Sequence, residues 1–120
     1  MRALVCKEYG PPSQLILDDL DDPKPSKGQI LIKVKAAGIN FPDVLSIEGK
    51  YQVKTEPPFI PGNEASGIIE AVGEGVARFK PGDQVITMSK GGAFAEKCVS
   101  DENTTIPLFL ALNFSQGAGF

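Results

Sequence analysis

Histidine and tryptophan are absent from the 120 residues, and cysteine occurs only at Cys6 and Cys98. Without histidine, a Ser-His-Asp triad, a Cys-His pair and a His-containing zinc site are impossible within this chain. The two cysteines lie far apart, each in a strand-like context, and are expected as free thiols in a reducing compartment. No imidazole is available to activate either one, which argues against a catalytic thiol. No apolar run reaches the roughly 20 residues that span a bilayer. The first residues, MRALVCKEYG, lack the apolar stretch of a secretory signal. Positive charge is in deficit: 12 Lys+Arg against 15 Asp+Glu give a formal net charge of -3 and a pI near 4.9. Nucleic acid and anionic membranes are therefore disfavoured as partners. The expected location is the cytoplasm.

Glycine (13) and proline (10) are plentiful, and they punctuate short apolar segments at fairly even spacing. That pattern indicates a mainly β barrel or sandwich in one domain. Strands are predicted at Arg2–Lys7, Gln14–Asp18, Ile30–Ala37, Ser66–Val72, Gln84–Met88 and Ala93–Val99. In the third, Ile30, Ile32 and Val34 share one face, while Lys33 and Lys35 take the other. Residues 18–27 carry Pro23 and Pro25 and are predicted to form a loop. The four aspartates there (Asp18, Asp19, Asp21 and Asp22) lack the offsets of a calcium loop and are expected to be solvated. A short helix is predicted over Phe41–Glu48, with Asn40 as cap, Pro42 and Asp43 in its first turn and Gly49 ending it. A second is predicted within residues 113–120, with Ser115 as its cap.

Two glycine clusters invite a dinucleotide reading. Gly73-Glu-Gly75 follows a predicted strand but has Arg78 at the third glycine position and then runs into Phe79-Lys-Pro-Gly82-Asp83. Gly117-Ala-Gly119 has no strand before it. A phosphate needs backbone N–H groups at a helix N-terminus, so tight β-turns are the expectation for both clusters.

The remaining motifs form an ordered series. It begins with A-G-I-N-F-x-D at Ala37 to Asp43 and G-x-Y at Gly49 to Tyr51. P-x-x-P-G-x-E-x-x-G follows from Pro58 to Gly67, then V-G-x-G-V at Val72 to Val76. F-K-x-G-D-x-V at Phe79 to Val85 and G-G-A-F-A-E at Gly91 to Glu96 complete it. In this series the chain resembles the N-terminal, GroES-like catalytic domain of the medium-chain dehydrogenase/reductase superfamily, most closely its zinc-free quinone oxidoreductase branch. The resemblance covers essentially the whole chain but only the first part of a family member. Residues 1–120 are thus expected to be one GroES-like domain, a partly open β-barrel, with the Rossmann nucleotide-binding domain of the same protein lying beyond them. Past Thr105-Ile106-Pro107-Leu108 the match weakens, at the apolar run Phe109–Leu112.

Two departures separate the chain from the zinc alcohol dehydrogenases of that superfamily. Asn40 stands where those enzymes carry a cysteine, and Asn63 where they carry the histidine of a G-H-E triplet. Neither amide equals a thiolate or imidazole as a zinc ligand, and the cysteine-rich structural-zinc lobe is missing. No metal site is expected. The resemblance implies NADPH as cofactor, a quinone or enone as small-molecule substrate, and a homo-oligomeric full-length protein. It implies that Asn40 and Phe41 meet the cofactor and that Asn40 and Asp43 line the cleft beside the nicotinamide ring and its ribose. It further implies that Tyr51 polarises or protonates the substrate oxygen, and Glu64 is expected to brace the cleft backbone. Helix capping is the competing role for Asn40 and Asp43, and core packing for Tyr51. Two alternative functions remain: an enoyl-thioester or alkenal reductase on the same scaffold, and a non-catalytic β-barrel interaction module.

Overall fold

The computed structural model describes residues 1–52, 54–108 and 113–119; the apolar run 109–112 lies outside the described residues. Among the described residues, seven strands and two α-helices follow one another as β1 (Arg2–Val5), β2 (Ile16–Asp19), β3 (Gln29–Gly38), α1 (Phe41–Glu48), β4 (Glu64–Val72), β5 (Gln84–Met88), β6 (Lys97–Asp101), β7 (Thr105–Pro107) and α2 (Phe114–Ala118). Strands β1 and β2 form a two-stranded antiparallel sheet. The other five form a second antiparallel sheet in the order β6-β3-β4-β5-β7. The architecture is mainly β, in two sheets with no closed ladder, as the GroES-like resemblance implies.

Strand β3 anchors the core because it pairs on both sides, with β4 and with β6. Ile30 and Ile32 are fully buried and pack with Ile69, Val85, Phe79 and Cys98, while Lys33 and Lys35 face solvent. The alternation fails at Leu31, which is also buried, beside a register shift that leaves Glu70 of β4 unpaired. A second shift leaves Lys35 of β3 unpaired. Such bulges bend the strands that carry them.

The expected strand over residues 93–99 enters the ladder only at Lys97. The residues before it bond elsewhere: Leu4 N–H donates to the Phe94 carbonyl (2.9 Å), Glu96 N–H to Arg2 (3.0 Å) and Val34 N–H to Glu96 (2.9 Å). They thereby tie the small sheet to the large one. Likewise β1 ends at Val5, and Cys6 forms an isolated bridge with Phe59. Gln14 belongs to a 3-10 turn, Pro12–Gln14, rather than to β2. Strand β7 has no counterpart among the strands predicted from the sequence.

Edge strands β6 and β7 are neighbours in sequence, joined by the 3-10 turn Glu102–Thr104. Their side chains close the gap that the ladder leaves open. The buried Thr87 hydroxyl of β5 lies 2.6 Å from that of Ser100 in β6 and 2.8 Å from that of Thr105 in β7. The Thr105 hydroxyl in turn donates to the Asp101 carbonyl (2.9 Å).

Three of the four aspartates of the 18–22 region, Asp18, Asp19 and Asp22, are paired rather than merely solvated, and Asp18 and Asp19 lie in β2; Asp21 is exposed, as expected. Asp18 meets Lys7 at 2.9 Å. Asp22 bridges the Met1 ammonium (3.1 Å) and Lys97 (2.8 Å), and Lys97 also meets Glu70 (2.9 Å). Gly73–Gly75 forms the expected turn, with Gly75 at φ 81°. Gly117, however, lies inside α2, not in a β-turn. The cap of α2 is Asn113, not Ser115: Asn113 Oδ1 accepts from Gln116 N–H (2.8 Å), and Gln116 Oε1 accepts from Asn113 N–H (2.9 Å). An amide three residues before a glutamine completes a reciprocal capping box that the serine could not supply.

Candidate functional site

Helix α1 is set by its two ends. At the start, Asp43 Oδ2 accepts from the Asn40 backbone N–H at 2.8 Å, and Pro42 occupies the first turn, where no N–H is needed. At the finish, Gly49 adopts φ 74°. Gly49 N–H and Lys50 N–H then donate to the Ser46 and Leu45 carbonyls, a Schellman stop. These ends place Asp43 inward, 1% exposed, and release the chain into the loop that carries Tyr51.

Opposite Asp43 lies Asn63, just ahead of β4. Its Nδ2 donates to Asp43 Oδ1 at 3.1 Å, and its Oδ1 accepts from Gly91 N–H at 2.9 Å. One amide therefore ties α1 to the turn that follows β5. Consecutive glycines at φ 87° and 88° form that turn, a conformation L side chains rarely adopt. Both Asp43 oxygens now face donors, which suits the ionised carboxylate. Burial, with the nearby charge of Glu64, nevertheless pushes the Asp43 pKa up, against the Asn40 N–H that lowers it.

A cavity of about 560 Å³ opens here, lined by Asp43, Tyr51, Asn63, Lys90 and Gly91 over an apolar wall that includes Phe59 and Ile60. The Tyr51 hydroxyl has no hydrogen-bond partner among the described residues and is free to donate to a ligand. Cys98 also borders the cavity, but burial pushes its thiol up to about 12, so it stays protonated. Cys6 and Cys98 are both buried free thiols. Among the described residues no group of three His, Cys, Asp or Glu is placed to hold a metal ion. None of their helices is long and apolar enough to cross a membrane.

Asp43 and Tyr51 thus line one cavity, whereas Asn40, bonded to Asp43 through its backbone N–H, and Phe41 lie outside its lining. Asn40 is exposed and Phe41 is 71% exposed, and neither borders the cavity. Glu64 is half-buried at the start of β4 and acts on Asp43 through its charge. Asn63 is the residue whose role the sequence conceals. Along the chain it reads only as a missing zinc ligand, although a side-chain amide beside Gly62 and facing a Gly-Gly pair can bridge a donor and an acceptor.

Residues 26–118 match the family described as the alcohol dehydrogenase GroES-like domain. Over 120 residues the chain is 44% identical to the quinone oxidoreductase of Rattus norvegicus, covering 98% of this chain and 36% of that protein. Among solved structures, the human synaptic vesicle membrane protein VAT-1 homolog-like protein superposes with a TM-score of 0.96 at 33% identity, over 100% of this chain and 39% of that one. Mycobacterial Rv1454c complexed with NADPH superposes with a TM-score of 0.94 at 35% identity, over 100% and 37%. The chain spans little more than a third of the length of each of these relatives.

Proposed function

Because the chain belongs to the alcohol dehydrogenase GroES-like domain family, we propose that it forms the substrate side of an NADPH-dependent oxidoreductase that reduces quinones or conjugated carbonyls without zinc. The observation that carries this reading is the cavity lined both by Tyr51, whose hydroxyl has no partner among the described residues, and by the locked Asp43–Asn63 pair. The similarity to a quinone oxidoreductase supports the substrate class, and the NADPH complex of a structural neighbour supports the cofactor. The remaining two-thirds of such a protein would hold most of the dinucleotide.

The nicotinamide end would lie at the start of α1, beside Asp43 at the cavity's edge. Asn40 offers an exposed amide beside the exposed Phe41 ring at the start of α1, a surface for a flat, polar heterocycle. When bound, NADPH supplies a hydride. The chain's own residues do the rest. Phe59 and Ile60 offer an apolar wall to a planar substrate, and Asp43 and Asn63 fix the polar side. The Tyr51 O–H donates to the substrate oxygen as negative charge gathers there. That oxygen takes a proton from Tyr51 or from water, and the donor is reprotonated by solvent. Quinone, NADPH and one proton give hydroquinone and the oxidised cofactor. An enone or enoyl thioester would use the same hydroxyl.

The zinc-free part of the reading rests on commitment as well as identity. Asn63 spends its amide on Asp43 and Gly91, and Asn40 offers no thiolate. The test is the full-length protein, purified without a histidine tag, chelated and supplied with NADPH and 1,4-benzoquinone. Turnover without bound zinc is expected. Loss of all quinone and enone reduction would overturn the oxidoreductase reading, and zinc retained at about one per chain would overturn its metal-free part.

A further inference from the structure

We propose that the Lys90–Gly92 turn recognises a negatively charged group on the substrate, with Lys90 supplying the charge; this rests on the reading of the cavity as the substrate site. Four charged groups border that cavity: the Met1 ammonium, Asp43, Lys90 and Lys97. Two of the three cations are already paired within the chain. The Met1 ammonium lies 3.3 Å from Asp19 and 3.1 Å from Asp22. Lys97 sits between Asp22 and Glu70, at 2.8 and 2.9 Å. Asp43 accepts from Asn40 and Asn63. Of the three cations at the cavity, Lys90 alone has no carboxylate within ion-pair distance among the described residues. Lys90 is therefore the cavity's one unpaired cation, in a lining whose own carboxylate, Asp43, is held by neutral donors.

The base beneath that ammonium is fixed. Ser89 N–H donates to the Asn63 carbonyl (2.7 Å), Gly91 N–H to Asn63 Oδ1 (2.9 Å) and Gly92 N–H to the Ile60 carbonyl (2.8 Å). These three bonds flank Lys90 and hold its backbone against residues 60–63, so little backbone ordering is left for ligand binding. An apolar wall with a single outlying cation suits a planar ring that carries a carboxylate or sulfonate away from its reducible carbonyl. The same charge could serve the cofactor's phosphates, and the experiment separates the two.

The full-length protein would be assayed with NADPH against 1,4-naphthoquinone and its 2-sulfonate, as wild type, Lys90→Met and Lys90→Glu. The ratio of kcat/KM for the sulfonate over the neutral quinone should fall about five-fold in Lys90→Met, as for a partly exposed ion pair. It should fall further in Lys90→Glu, and the difference should fade as salt is raised toward about 1 M. A ratio unchanged by either variant would overturn the proposal. So would a matching rise in the KM for NADPH, which would assign Lys90 to the cofactor. If the wild type reduced neither quinone, the function proposed above would fail, and the sulfonate's equilibrium affinity would still decide this one. Binding weakened by Lys90→Met would uphold the recognition role, and equal binding would end it.

Discussion

Asp43 is held between two hydrogen-bond donors, the Asn40 backbone N–H and Asn63 Nδ2, and that arrangement dictates what can replace it. In Asp43→Asn one carboxylate oxygen becomes an NH2 that must face a donor. We expect a loss of about 1–3 kcal/mol, the cost of an unmade buried hydrogen bond, read as a lower urea midpoint. The pH dependence has a definite sign. Burial raises the Asp43 pKa above its ordinary value, so the folded state binds more protons through that window. Its contribution to stability is fully present below the unfolded-state pKa and is lost as pH rises through the folded one. Asp18 and Asp22 work the other way, since Lys7 and Lys97 lower theirs. Subtracting the Asp43→Asn curve from the wild-type curve isolates Asp43, and the gap should widen as pH falls. Tyr51 predicts a change in rate instead. Tyr51→Phe removes a hydrogen bond to a developing charge worth about 1.5–3 kcal/mol, and kcat/KM for quinones should drop roughly 10- to 150-fold with little change in melting temperature. Unchanged kinetics would leave the ring a packing residue. The sequence singled out both residues as candidates because short local motifs carry them. Asn63 was not, since its two partners lie 20 and 28 residues away.

Among the elements, legibility followed locality. Helix α1 was predicted with its observed bounds because Pro42, Asp43 and Gly49 act within a single turn of the backbone. Strand β7 escaped because three residues ending in proline carry no periodic signal, and only pairing with β5 defines it. The start of β6 was placed too early for a related reason: Phe94 and Glu96 are claimed by β1 and β3. The hydroxyl cluster joining β5, β6 and β7 is equally invisible along the chain, and it makes its own prediction. Thr87→Val keeps the shape and removes the shared hydroxyl, while Ser100 and Thr105 retain the Met88 and Asp101 carbonyls. Destabilisation of about 1–2 kcal/mol should result. Amide exchange should speed first at Thr105 and Ile106, and uniform exchange across β3 and β7 would contradict that order.

For the whole molecule, the fold class was readable from punctuation and motif order, whereas the closing of the large sheet was not. The 120-residue chain should fold on its core yet bind NADPH only at millimolar strength or weaker, about -4 kcal/mol. Its glycine turn at 73–75 leads into no helix, so no helix N-terminus receives the pyrophosphate. A micromolar dissociation constant in a calorimetric titration would place a dinucleotide site within this chain. The seam between β6 and β7 has another consequence. Only the short turn Glu102–Thr104 links the two edges covalently, and the segment beyond that turn carries its own adhesion. Strand β7 pairs with β5, the Thr105 hydroxyl joins the Thr87 cluster, and the Ser66 hydroxyl donates to the Phe114 carbonyl of α2. Cut within that turn, the two fragments are expected to reassociate, and their recovered fold on mixing would report on how well the large sheet holds its edge.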